Sequence, residues 1–161
     1  MSTHTGLFDA SALVKVFSDE PGSDLVRQYF YTRPCKYTTP FCFYEAMNIL
    51  KSKWKYKGQL SLDEYYKATF KLTAWHGAWS KDLNDIDFSD PVVFARTRQL
   101  AEKFALDLSD AFQILSVQQG AHSIFVNESA TVLVTADDGL ATAARSEGIR
   151  VWSVMRELAP A

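Results

Sequence analysis

Cysteine is scarce in this chain. Cys35 and Cys42 are the only two, and they do not stand in a metal-binding spacing. They read as two reduced thiols in the core or a loop. Histidine gives no zinc site either, because His4, His76 and His122 are scattered with no paired ligand spacing. Positive charge is not in excess: 17 Lys and Arg face 19 Asp and Glu, for a net charge of −2. A nucleic acid held by general electrostatics calls for a basic domain, so such a partner here needs a local patch or a bridging cation. No apolar run reaches the ~18 residues of a membrane span. The N-terminus lacks a charged start followed by an apolar stretch, so no signal peptide is visible. A cytoplasmic protein without a membrane segment is the resulting expectation. Repeats, linkers and low-complexity tracts are also missing. What is abundant is apolar surface, 47% of 161 residues, enough for one domain with a proper core over 1–161.

Strands alternate with helices along the chain. Leu7-Phe8 reads as a short strand, followed by a helix with Leu13, Val14 and Phe17 on one face and Ser11 as its cap. Pro21-Gly22 stops that helix, and Ser23 or Asp24 caps the next. Lys36–Thr39 reads as a strand. Phe43, Met47, Leu50 and Trp54 then mark an amphipathic helix, and Ser61 with Glu64 forms a capping box for its successor. These two helices predict a hairpin arm over about 41–80. Asp85–Phe88 suggests an edge strand, and Asp90-Pro91 the start of a helix. Ser109 opens another. His122–Val126 is a possible strand, Thr131–Thr135 the clearest one. Asp137 or Asp138 caps a helix closed by Gly148, and Ile149–Val154 ends the pattern. The expected fold is α/β, a three-layer α/β/α sandwich with a mostly parallel central sheet.

Four acids stand at element boundaries beside apolar runs. Asp9 ends the first strand and Asp137 the Val132–Thr135 strand, so both point into the crevice outside the strand carboxyl ends. Asp110 begins a helix. Glu45 lies among Phe41, Phe43, Tyr44, Ala46 and Met47, where a carboxylate is costly unless paired or metal-bound. Plain helix capping or dipole complementation accounts equally well for Asp9, Asp110 or Asp137 taken singly. Taken together, clustered carboxylates suit a hard divalent cation, which keeps waters beside one or two of them. Such a cation activates water and neutralises phosphate charge.

The segments Leu7-Phe8-Asp9-Ala10-Ser11-Ala12-Leu13, Tyr44-Glu45-Ala46-Met47-Asn48, Leu108-Ser109-Asp110-Ala111 and Val134-Thr135-Ala136-Asp137-Asp138-Gly139-Leu140 occur in that order. Together they resemble the PIN domain nucleases, and among them the VapC-like toxin ribonucleases. The resemblance spans about Leu7 to Val154. It implies a PIN-like fold, RNA cleavage dependent on Mg²⁺ or Mn²⁺, a homodimer, and inhibition by a small antitoxin protein. It places Asp9, Glu45, Asp110 and Asp137 in the family's acidic quartet, with Ser11 and Thr135 at the small hydroxyl positions beside it. Asp9 and Asp110 become the first candidates for direct metal ligands. Two stretches depart from the pattern: a long arm carrying Trp75 and Trp79, and an apparent insertion at Ser123–Ser129.

Beside the quartet, Asp107 lies one helical turn before Asp110 and can face the same site. Asp138 reads as a helix cap. Lys51, Lys53, Lys55 and Lys57, interleaved with Trp54 and Tyr56, form the one basic run. They read either as a grip on RNA phosphates or as a solvated helix end. The arm carries more rings than a hairpin buries against a sheet, which predicts a protein contact there. Other readings are a free-standing RNA-processing nuclease and an inactive protein-binding module of the same fold. A phosphoaspartyl enzyme ranks below these, since Asp9-Ala10-Ser11 lacks a second acid two residues on.

Overall fold

The computed structural model of the protein describes residues 5–80, 86–120 and 131–160. Four parallel strands form one sheet: β1 (Thr5–Phe8), β2 (Cys35–Tyr37), β3 (Val132–Thr135) and β4 (Arg150–Ser153), in the order β2-β1-β3-β4. Leu7 pairs with Tyr37 on one side and Leu133 on the other, and Val134 pairs with Trp152. The chain leaves β1 toward β2 and later returns to the other side of β1 as β3. The strand order therefore reverses between β1 and β3, where an open parallel sheet leaves its ligand crevice.

Strand side chains alternate between two buried faces. Phe8, Val132, Val134 and Trp152 pack on one side with α1 (Ala10–Phe17), α2 (Ser23–Thr32), α3 (Pro40–Lys55) and α4 (Leu62–Trp75). Leu7, Tyr37 and Leu133 pack on the other with α6 (Leu108–Gln119) and α7 (Asp138–Ser146). Helix α5 (Pro91–Phe104) lies on α6. The result is the expected three-layer α/β/α sandwich.

Several boundaries differ from the sequence reading. Strand β2 stops at Tyr37 because the next two threonines turn the chain. Thr38 Oγ1 donates to the Phe8 carbonyl at 2.7 Å, and Thr39 Oγ1 accepts from the Cys42 N–H at 3.2 Å to cap α3. Ile86–Phe88 is not a strand: Asp87 Oδ1 accepts from both the N–H and hydroxyl of Ser89, which closes a turn. The possible strand at 122–126, the apparent insertion at 123–129, Asp85, His4 and His122 lie outside the described residues. Ser11, Ser23 and Ser109 are not caps. Asp9, Gly22 and Asp107 hold those positions, Gly22 at a φ of 86° that L side chains rarely adopt. The Ser61–Glu64 capping box and the Asp90 cap form as the sequence predicts.

The hairpin of α3 and α4 is less an arm than part of the outer layer. Ala46, Leu50, Ala68, Leu72 and Trp75 all enter the same core as Phe8. Helix α4 ends at Trp75, and a π-helical turn over His76–Ser80 follows. Ser80 Oγ accepts from the Thr38 N–H at 2.9 Å, which ties that turn to the end of β2. Glu20 fixes the hairpin to α1 by bonding both Lys15 and Lys53, two nearly buried lysines. These cations draw its carboxyl below the ordinary value against the opposing effect of burial. Trp54 stacks on Tyr65 at 4.8 Å. Tyr44, Tyr56, Tyr66, Phe70 and Trp79 remain exposed. Among the described residues, no helix is long and apolar enough to cross a membrane.

Candidate functional site

Strand β1 delivers Asp9 to the point where the strand order reverses. Its N–H donates to the Val134 carbonyl at 3.0 Å, extending the sheet by one bond. Asp9 holds the N-cap position of α1, yet its side chain caps nothing. The carboxylate is instead 4% exposed and surrounded by donors. Ser11 Oγ at 2.6 Å and Thr135 Oγ1 at 2.9 Å donate to Oδ2. Gln113 Nε2 at 2.9 Å and the Cys42 thiol at 3.7 Å donate to Oδ1. The two hydroxyls are themselves oriented, since Ser11 accepts from the Ala136 N–H and Thr135 from the Asp137 N–H. Burial, and then the Asp9 charge, pushes the Cys42 thiol well up, which keeps it a donor.

Asp110 stands in the first turn of α6, one turn before Gln113, whose Nε2 also reaches Asp110 Oδ1 at 3.2 Å. One amide nitrogen thus serves two carboxylates. Burial pushes the Asp110 carboxyl up to about 7, reinforced by Asp9, Asp137, Glu45 and Asp107. Glu45 also lies above its ordinary value, from burial first and then Asp9, Asp107 and Asp137. The quartet and Asp107 therefore share one electrostatic site, although they come from α3, α6 and the ends of β1 and β3. Among the described residues, no lysine or arginine forms an ion pair with any of these five acids.

The individual acids depart from the sequence reading in instructive ways. Glu45 is not enclosed by the rings beside it in sequence. Successive helical residues turn away from each other, and the inward stripe of α3 is Cys42, Ala46 and Leu50. Asp137 does cap α7, accepting from the Leu140 N–H at 2.8 Å, while still acting on Asp110 and Glu45. Asp138 is not the cap; it pairs with Arg156 at 2.8 Å. Asp107 holds the N-cap position of α6 without a capping bond and faces the cluster. Ser11 and Thr135 both sit on the Asp9 carboxylate.

A hard cation suits this donor set in part. Among the described residues, no group of three Asp, Glu, His or Cys side chains is arranged to hold a metal ion. Mg²⁺ needs fewer protein ligands, one or two carboxylates plus waters. Asp9 and Asp110, bridged by one amide nitrogen and without a lysine or arginine pair among the described residues, offer two carboxylates for such a site.

Lys53 leaves the basic run for its pair with Glu20, so only Lys51, Lys55 and Lys57 are on the surface. Trp54 is engaged by Tyr65 and by Lys55, 5.5 Å from its ring centroid. His76 stacks on Phe43 at 4.2 Å. Two members of the site were absent from the sequence reading, Gln113 and Cys42. Gln113 sits in the apolar run of α6 between Phe112 and Ile114. The visible signal was an amide one turn after Asp110, in a helix otherwise buried there.

No family model matches this chain, and no curated protein matches it. Among solved structures it is similar to the crystal structure of PAE2754 from Pyrobaculum aerophilum. The TM-score is 0.57 and the identity 21%, over 92% of this chain and 90% of that one. The two chains share a fold.

The raised Asp110 carboxyl gives a stability prediction. Unfolded, the group has the ordinary aspartate value of 3.8; in the fold, burial pushes it up to about 7. Between those values the folded protein binds more protons, so stability falls as pH rises through this window. Thermal melts without divalent cations should show a Tm declining from pH 4 to pH 7. Asp110→Asn should flatten that decline and raise Tm at pH 8. An unchanged decline in the variant would mean that Asp110 is not under this strain.

Proposed function

We propose that this protein is a Mg²⁺- or Mn²⁺-dependent endoribonuclease of the PIN type, the toxin of a toxin–antitoxin pair. The observation that carries the reading is the Asp9–Asp110 pair at the sheet's reversal point, joined through Gln113 and without a lysine or arginine partner among the described residues. The ordered motifs and the shared position of Glu45, Asp107 and Asp137 support it. A divalent cation held by Asp9 and Asp110 would supply an activated water and neutralise charge on an RNA phosphate. Ser11, Thr135 and Gln113 fix the Asp9 carboxylate in one orientation. Glu45 and Asp137, whose charges both act on Asp110, would hold waters or orient the attacking one. The phosphoaspartyl alternative is disfavoured because Asp9-Ala10-Ser11 lacks a second acid two residues on.

Cytoplasmic location follows from the same reading. A free-standing RNA-processing nuclease would use the same chemistry. The exposed rings of the outer helices favour a protein partner, a second copy or an antitoxin, and would equally serve an inactive binding module.

Three measurements test these assignments. RNA cleavage should vanish in EDTA, return with Mg²⁺ or Mn²⁺, and be lost in Asp110→Asn. Full cleavage in EDTA, or by the folded variant, rejects the mechanism. Asp110 is a cleaner probe than Asp9, because an amide at Asp9 would set a donor among donors.

Replacing Lys51, Lys55 and Lys57 by Gln tests the basic run. Lys51 and Lys55 lie roughly 10–15 Å along α3 from Glu45 at 1.5 Å per residue, with Lys57 just past the helix end, within reach of RNA leaving the site. The slope of log affinity against log salt should shrink by up to about 2, at ~0.7 per phosphate contact. An unchanged slope makes the run a solvated helix end.

For the partner surface, Trp79→Ala should weaken self-association or antitoxin binding. Its stability cost should stay within about 0.5 kcal/mol, as for other exposed positions. Sedimentation of a monomeric wild type, with equal antitoxin binding by the variant, removes Trp79 from any interface.

A further inference from the structure

Gln113 has a side chain with no exposed surface, on a stretch of α6 that is otherwise apolar. Its Nε2 donates to Asp9 and Asp110 together. Its Oε1 is buried and has no hydrogen-bond partner among the described residues. A buried amide oxygen left in that state is destabilising. Reversing the amide would not relieve the site, because Oε1 would then face two carboxylate oxygens. The two acids therefore dictate the orientation of the amide and leave its oxygen unsatisfied. The N–H groups place partial positive charge in the gap between two acids that, among the described residues, no lysine or arginine pairs with.

We infer that Gln113 is a placeholder for the cation: its amide N–H groups screen Asp9 from Asp110 in the metal-free protein and oppose a divalent ion bound between them. This rests on the cation-dependent reading proposed above. It assigns Gln113 a positioning role distinct from that of a ligand. A ligand would strengthen binding through its oxygen, whereas a placeholder weakens it through its nitrogen. The consequence is a site that exchanges its cation readily and keeps its carboxylates together without one.

The test uses Mn²⁺ and calorimetric titration of the full chain at pH 8. Gln113→Met keeps nearly the same length and removes both amide groups; Gln113→Leu gives a second apolar variant if one fails to fold. Metal-free Tm should fall in the variants, while Mn²⁺ should bind more tightly by about tenfold, the order of one charge-assisted hydrogen bond. The rise in Tm on adding Mn²⁺ should be correspondingly larger than in the wild type. Equal affinity in wild type and variants overturns the placeholder and leaves the cation reading standing. Weaker binding in the variants also overturns it, by making the amide oxygen a ligand. If neither wild type nor variant binds Mn²⁺, the cation reading itself fails and the placeholder fails with it.

Discussion

The carboxylate of Asp9 is the point at which this molecule is tied together. Ser11 comes from α1, Cys42 from α3, Gln113 from α6 and Thr135 from β3, and all four donate to it. A buried charge of that kind is tolerable only when hydrogen bonds replace lost hydration. Each donor therefore fixes the position of the element that carries it. The parallel pairing of β1 with β3 is what makes the arrangement possible, since it sets Thr135 opposite the residue that follows Phe8. The site is part of the reason the layers hold one relative position, as well as a product of it.

Around that point the protein gathers acids that, among the described residues, no lysine or arginine pairs with. Glu20, elsewhere, shows the contrasting solution: one acid, two lysines and a lowered carboxyl. At the crevice, Asp110 is driven up to about 7 and Glu45 above its ordinary value. Perturbation by burial and by like charges in a cleft is the pattern of functional sites more than of structural ion pairs. Gln113 relieves part of it with an amide, at the expense of its own oxygen.

The outer layer shows how local and tertiary demands divide the aromatic residues. Trp75 packs edge-on against Phe30 at 5.1 Å and closes the core over α1. Trp79, four residues on, falls in the π-helical turn and stays open to solvent. That turn is set by Ser80, whose hydroxyl meets the backbone of Thr38. The two tryptophans differ in setting because the helix changes its pitch between them.

By itself the sequence determined the alternation of strands and helices, apart from the turn at Asp87–Ser89, the parallel sheet, and the place of Asp9 and Asp137 at strand ends. The apolar runs Leu7-Phe8 and Val132–Val134 identify strands buried on both faces, and an acid just beyond such a strand marks the ligand edge of the sheet. Local capping rules placed Ser61, Glu64 and Asp90, because those bonds close within four residues. Tertiary structure alone decided the rest. Whether Asp9 caps a helix or gathers distant donors depends on residues up to 126 positions away. Lys53 leaves the basic run because Glu20 lies 33 positions before it. Gln113 reads as one more residue of a buried helix until α6 is laid against β1. Hydrogen bonds between distant segments leave no period in the sequence, whereas burial on a strand or helix repeats with the geometry of the element and can be read directly.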